Sequence, residues 1–209
     1  MTQSSPQPIP NICVHLIEII AITLGGIGLV GAAIIGLSHK LQTNMHEAKR
    51  VENIAQNLIT YQFPQSSQGR IGLSIGAESF AVIADRTTNP NLRLFVQASP
   101  VDGVERSSLL VREYALGSGW QGNWEIVQEE TQPFLYCHQT VNLETSRGRW
   151  SEPDHVEPRP AIEYSIDTTI DGYDQTIRIL ATGANAEPLA QKLLKSIQCR
   201  QDMSSNSQN

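Results

Sequence analysis

Lysine and arginine are missing from the first 39 residues, and cysteine is nearly missing from the whole chain. The first absence argues against a cleavable secretory signal, because "MTQSSPQPIP" offers no positive n-region and no small-x-small cleavage site precedes the next polar stretch. The second excludes a disulfide-stapled scaffold, since only Cys13, Cys137 and Cys199 are present. Basic residues are outnumbered 15 to 21 by acidic ones, for a net charge of −6, which argues against wrapping nucleic acid or lying on anionic lipid through a basic face. The glycines of "GLSIGAESF" lack the lysine and the spacing of a phosphate loop, and no cysteine or histidine set has recognised zinc spacing. No serine or cysteine sits in a nucleophile-elbow context.

What is present is a long apolar run. Ile19 to Leu37 are 19 uncharged residues with Thr23 the main polar interruption, and at helical rise they cover roughly 28 Å, close to a bilayer's hydrocarbon thickness. The expectation is one uncleaved transmembrane helix contacting the bilayer through residues 12–37. A buried core helix is the competing reading, weakened by Gly25, Gly26, Gly28, Gly31 and Gly36, which membrane spans tolerate better. Gly28, Ala32 and Gly36 recur on one helical face, the pattern of a candidate helix–helix contact in a homodimer. His15 and Glu18 stand one turn apart at the start of the span.

Orientation is divided. Lys40, Lys49 and Arg50 follow the span and favour a cytoplasmic domain. A Cys137–Cys199 bridge would favour an oxidising compartment and would close a loop of about 60 residues, worth roughly 4 kcal/mol in unfolded-chain entropy. Two unconnected buried thiols are the alternative.

Beyond the span, "HEAKRVENIAQNLITYQFP" places Val51, Ile54, Ala55 and Leu58 at helical spacing before Pro64. "IGLSIGAESFAVIAD" reads as a hairpin and "NLRLFVQASP" as a strand, whereas "VERSSLLVREYAL" reads as a helix. "GSGWQGNWEIVQEE" and "QPFLYCHQTVNLET" read as two more strands. After a proline-rich loop, "AIEYSIDTTI" and "YDQTIRILATG" form a second hairpin around "DG". In the closing helix "NAEPLAQKLLKSIQC", Asn185 is the expected N-cap, and Leu189, Leu193 and Ile197 the expected buried face. The organisation expected is a tail (1–10), an anchor (11–39), a linking helix (40–62), a domain (63–199) and a polar tail (200–209). The fold class is α+β, a mostly antiparallel sheet flanked by helices.

"IAQNLITYQFPQSSQGRIGLSIGAESFAVIAD", followed by a late hairpin and "PLAQKLLKSI", resembles a loose group of bacterial and especially cyanobacterial single-span membrane proteins of unknown function. The order of elements is also similar to the Mog1/PsbP-like fold. The resemblance implies an antiparallel sheet between helices and an extracytoplasmic domain, periplasmic or lumenal, and it carries over no catalytic residue. Relatives of this kind often have basic residues before the span, which this chain lacks.

Candidate chemistry is sparse. In "YCHQ", Cys137 and His138 are neighbours, and in a strand they would point to opposite faces, Cys137 inward and His138 outward, unable to act together. A zinc site would have to recruit His155 and Cys199. Asp154 beside His155 suggests an oriented base but lacks a nucleophile, so a solvated loop is the plainer reading. Trp120, Trp124 and Trp150 are a candidate binding surface, with core packing the plainer reading for them too. The expectation is a non-enzymatic, membrane-anchored binding or assembly domain. It needs no metal or cofactor, binds no nucleic acid, and partners an envelope or thylakoid protein. The alternative is a small-molecule-binding or sensory module with a pocket rimmed by Trp120 and Trp150, and an enzyme ranks third.

Overall fold

The structure is a computed structural model that describes residues 16–87, 90–101, 122–151 and 157–200, leaving aside the side chains of 16–18, 34, 37–39, 41 and 42 within the first helix. It divides into two compact units, residues 1–42 and 43–209.

The first unit is carried by α1 (Leu16–Met45), a 30-residue helix. Of its described apolar side chains, Ile22, Leu24, Ile27, Leu29 and Ile35 are all more than 60% exposed. Thr23 returns its hydroxyl to the Ile19 carbonyl at 2.8 Å, so the main polar side chain of the run is satisfied within the helix. Among the described residues no helix is long and apolar enough to cross a membrane, and positions 34 and 37 of the apolar run are among those whose side chains are left aside.

The second unit is built on a seven-stranded sheet in the order β2-β3-β4-β8-β7-β6-β5, with every pairing antiparallel. Its strands are β2 (Ser67–Ile75), β3 (Glu78–Asp85), β4 (Leu92–Pro100), β5 (Asn123–Tyr136), β6 (Gln139–Ser151), β7 (Arg159–Ile170) and β8 (Tyr173–Thr182). A separate two-residue ladder pairs β1 (Ile59–Thr60) with β9 (Gln198–Cys199). One face of the sheet carries α2 (Ala48–Leu58) over β2 and β3 and α3 (Ala186–Ser196) over β7 and β8.

The linking helix is shorter than expected. The chain breaks helix at His46 and Glu47, re-forms it as α2, and leaves it at Leu58 for a strand. The predicted face, Val51, Ile54, Ala55 and Leu58, is the buried one. It settles against β2 so closely that a Cβ on Gly69 would collide with the Ala48 carbonyl and with Val51. In α3 the buried stripe is Ala186, Ala190, Leu193 and Leu194, with Ile197 following, while Leu189 is half-exposed. The small alanines let the helix axis approach the sheet, which turns Leu189 outward. Asn185 makes no side-chain cap bond.

Between helices and sheet, Ile83, Leu94, Leu143, Ile166, Ile177, Ile179 and Leu193 are all at most 1% exposed, and each contributes roughly 2 kcal/mol by leaving water. A buried polar chain crosses this core. Tyr136 donates its hydroxyl to Gln175 at 2.9 Å, and the Gln175 amide donates to the Leu58 carbonyl at 3.3 Å, satisfying an acceptor freed at the end of α2. Burial pushes the Tyr136 phenol well above its ordinary pKa.

The opposite face buries Phe80, Val82 and Phe95 with Met45, and separately Trp150 with Ala161 and Leu180. Glu163 and Arg178 pair there at 3.7 Å. Trp150 Nε1, Ser165 Oγ, Arg178 Nε and Thr182 Oγ1 are buried without a hydrogen-bond partner among the described residues. The expected helix around residues 104–116 lies outside the described residues.

Candidate functional site

The longest hairpin, β5 with β6, forms the far edge of the sheet. Its two arms are joined at Cys137 and His138, whose φ angles of 50° and 62° are both left-handed. The stretch expected to be one strand through "YCHQ" is therefore a tight two-residue turn of the primed type that suits hairpin twist. Cys137 is not an inward strand residue, and His138 is exposed at the tip.

The turn sets which backbone groups are free. Tyr136 and Gln139 close the two-residue loop as a hydrogen-bonded pair, and pairs alternate from there. Phe134, Gln132, Glu130 and Gln128 consequently bond inward to β6, whereas Leu135, Pro133, Thr131 and Glu129 turn their backbone groups outward. Pro133 has no N–H to lose and occupies an outward position, as proline in an edge strand should. A bulge at Val127 interrupts the ladder between Ile126 and Gln128. There Gly148 lets β6 pass under the Glu125 carbonyl, where any Cβ would collide.

From Glu125 to Gln132 every side chain of this edge is exposed. Ile126, Val127 and Leu135 are 46%, 75% and 72% exposed, unusual for apolar residues in a regular strand. Its only charges are acidic: Glu125, Glu129 and Glu130. Arg147 of β6 binds Glu187 and Glu130, each at 2.9 Å, and both carboxylates raise the guanidinium pKa. Glu125 and Glu129 have no ion pair among the described residues.

Of the three tryptophans, Trp124 and Trp150 are among the described residues, and Trp150 takes the core-packing reading. Trp124 and Trp150 pair across β5 and β6 with centroids 5.9 Å apart, and Arg93 lies 6.0 Å from the Trp150 ring centre. Trp150 is only 3% exposed, so it is packing rather than a rim. Trp120 lies outside the described residues, as do Asp154 and His155.

Cys137 and Cys199 are joined as a disulfide with Cα atoms 5.0 Å apart, fastening the hairpin tip to β9. Neither thiol remains for zinc, and no metal-binding cluster occurs among the described residues. Beside the disulfide an open cleft of about 540 Å³ is lined by Tyr136, His138, Asp171 and Arg200. A second of about 500 Å³ is lined by Gln62, Phe63, Lys192 and Ser196. Neither gathers a nucleophile with a base and an orienting group. Gly28, Ala32 and Gly36 belong to α1, where a Cβ at either glycine would meet open space.

Sequence reasoning missed Asp85. Its buried carboxylate accepts from the backbone N–H groups of Asn91 and Leu92 at 2.9 and 3.1 Å, and from the Thr87 N–H and hydroxyl, closing the β3–β4 loop. An Asp at a strand end before Thr and Asn was the available signal.

No family model and no curated protein matches this chain. Among solved structures the chain is similar to the solution structure of cyanobacterial PsbP (CyanoP) from Synechocystis sp. PCC 6803, at 15% identity and a TM-score of 0.35, covering 68% of this chain and 93% of that one. A likeness at that level carries no argument about activity, partners or placement.

Proposed function

We propose that this chain is a membrane-anchored, non-enzymatic binding or assembly domain whose partner is another protein of the envelope or thylakoid. The observation that carries the reading is the β5 edge, a 14-residue strand whose outer side pairs with no other strand among the described residues and which bears three exposed apolar side chains. Anchoring is supported by the apolar run of α1 and by isoleucines and leucines exposed along it. The disulfide favours an extracytoplasmic domain, against the weaker vote of Lys40, Lys49 and Arg50.

Two measurements test this. A reporter fused after Asn209 and active on only one side of the membrane should work outside the cytosol, and the chain should resist alkaline extraction of membranes. Activity confined to the cytosol would refute the placement, and release by alkali would refute the anchor. Gentle solubilisation followed by native sizing should show the chain in a species larger than its own micelle. A monomer throughout would refute assembly.

A further inference from the structure

We infer that the outward edge of β5, from Gln128 to Leu135, accepts an extended, basic segment of a partner protein as an added strand. This rests on the binding reading above and names its surface. Among the described residues the edge supplies an unfilled ladder: outward N–H groups from Glu129, Thr131 and Leu135, and outward carbonyls from those residues and Pro133. Strand addition fills such a row and draws specificity from alternate side chains. Leu135 and Pro133 offer the incoming strand an apolar neighbour on one face of the sheet, and Gln128, Glu130 and Gln132 a polar one on the other.

Charge selects the occupant. Past the bulge the strand carries Glu129, with no ion pair among the described residues, and Glu130, already bound to Arg147, and it carries no lysine or arginine. A second copy would lay another Glu129 and Glu130, again without lysine or arginine, along this edge, and like charges on neighbouring strands destabilise a pair. Pro133 would also cost such a dimer a donor on both sides. These are the devices by which edges refuse copies of themselves, and they admit a strand bearing lysine or arginine. The bulge at Val127 limits the ladder to the stretch that follows it.

The test uses the full chain in detergent micelles with a nine-residue peptide of alternating lysine and valine as the probe, read by amide hydrogen exchange. At saturation the amides of Glu129, Thr131 and Leu135 should slow by about tenfold or more, in keeping with formed ladder bonds. The slowing should weaken as salt rises from roughly 0.05 to 0.5 M, because the charges are exposed. A glutamate–valine peptide should produce none. Thr131→Pro removes an outward donor while leaving the bonds to β6, so it should keep the wild-type melting curve and abolish the effect. No slowing with the basic peptide, or slowing that survives Thr131→Pro, overturns the inference. So does protection of these amides without peptide in a species of doubled mass, which would make a second copy the occupant. If the basic peptide fails while the chain still runs in a larger native complex, the edge assignment falls and the assembly reading stands.

Discussion

Reducing the Cys137–Cys199 bond should destabilise the domain by about 4 kcal/mol. The bridge closes a loop of 62 residues, and the chain-entropy relation assigns such a loop roughly 14 cal/mol/K, or about 4 kcal/mol at 25 °C. The native fold should outlast reduction locally, because β9 is held by other means. It pairs with Ile59 and Thr60, and Arg200 donates to the Gln56 carbonyl and to Asn57 Oδ1 at 3.2 and 2.7 Å. The Ser196 hydroxyl accepts from the Gln62 N–H and donates to a carbonyl. Most of the loss should therefore arise from a freer unfolded chain. The assay is urea unfolding of the full chain in micelles, with and without dithiol reductant, beside the Cys137→Ser/Cys199→Ser double variant. With a slope near 2 kcal/mol/M, reduction should lower the midpoint by about 2 M, and the double variant should unfold at the reduced midpoint whether or not reductant is present. A shift under about 0.5 M, equivalent to 1 kcal/mol at that slope, would refute the reasoning. So would a double variant that still responds to reductant.

Other perturbations have signs that the structure dictates. Gly69→Ala drives a methyl into the Ala48 carbonyl and Val51 and should cost about 2 kcal/mol in a thermal melt, as overpacking does. Gln175→Leu strands the Tyr136 hydroxyl and the Leu58 carbonyl and should cost roughly 2–4 kcal/mol, with Tyr136→Phe costing about 1. Asp85→Ala leaves the Asn91 and Leu92 N–H groups without their acceptor; it should cost roughly 3 kcal/mol and raise proteolysis near residues 85–92. Glu163 is a half-buried acid whose pKa desolvation raises above 4.5, with Arg178 opposing. The folded state thus holds this proton over a range where the unfolded state has lost it. As pH rises from 4.5 through the folded value, wild-type stability should fall by this contribution, and Glu163→Gln should lack that slope.

How much of this was legible depended on how local the cause was. The turn at "DG" and the hairpin at Gly76 follow from residues that accept left-handed backbone, so β2, β3, β7 and β8 were readable. The buried face of α2 was readable because its apolar residues recur at helical spacing. The turn at Cys137 and His138 was not, because neither residue is a turn former and the flanking alternation runs through them without a break. What holds that turn is a bond to a residue 62 positions away. The stripe of α3 was misread because two alanines, weak as hydrophobic signals, decide how near the helix comes to the sheet. For the candidate site, the tryptophans drew attention by size, whereas the open edge is defined by what lies beside it, and strand order is not written in any one strand.

The disulfide also changes the connectivity of the molecule. Residues 137 to 199 form a closed covalent ring holding β6, β7, β8 and α3, with β5 and everything before it hanging from one point on that ring. A protease that cuts once inside the ring, for instance in the segment between β6 and β7, linearises it without releasing a fragment. The pieces part only when the bond is reduced. A cut between β3 and β4 has no such safeguard, so damage to the two halves of the sheet has different outcomes, and one half can be nicked and remain a single molecule.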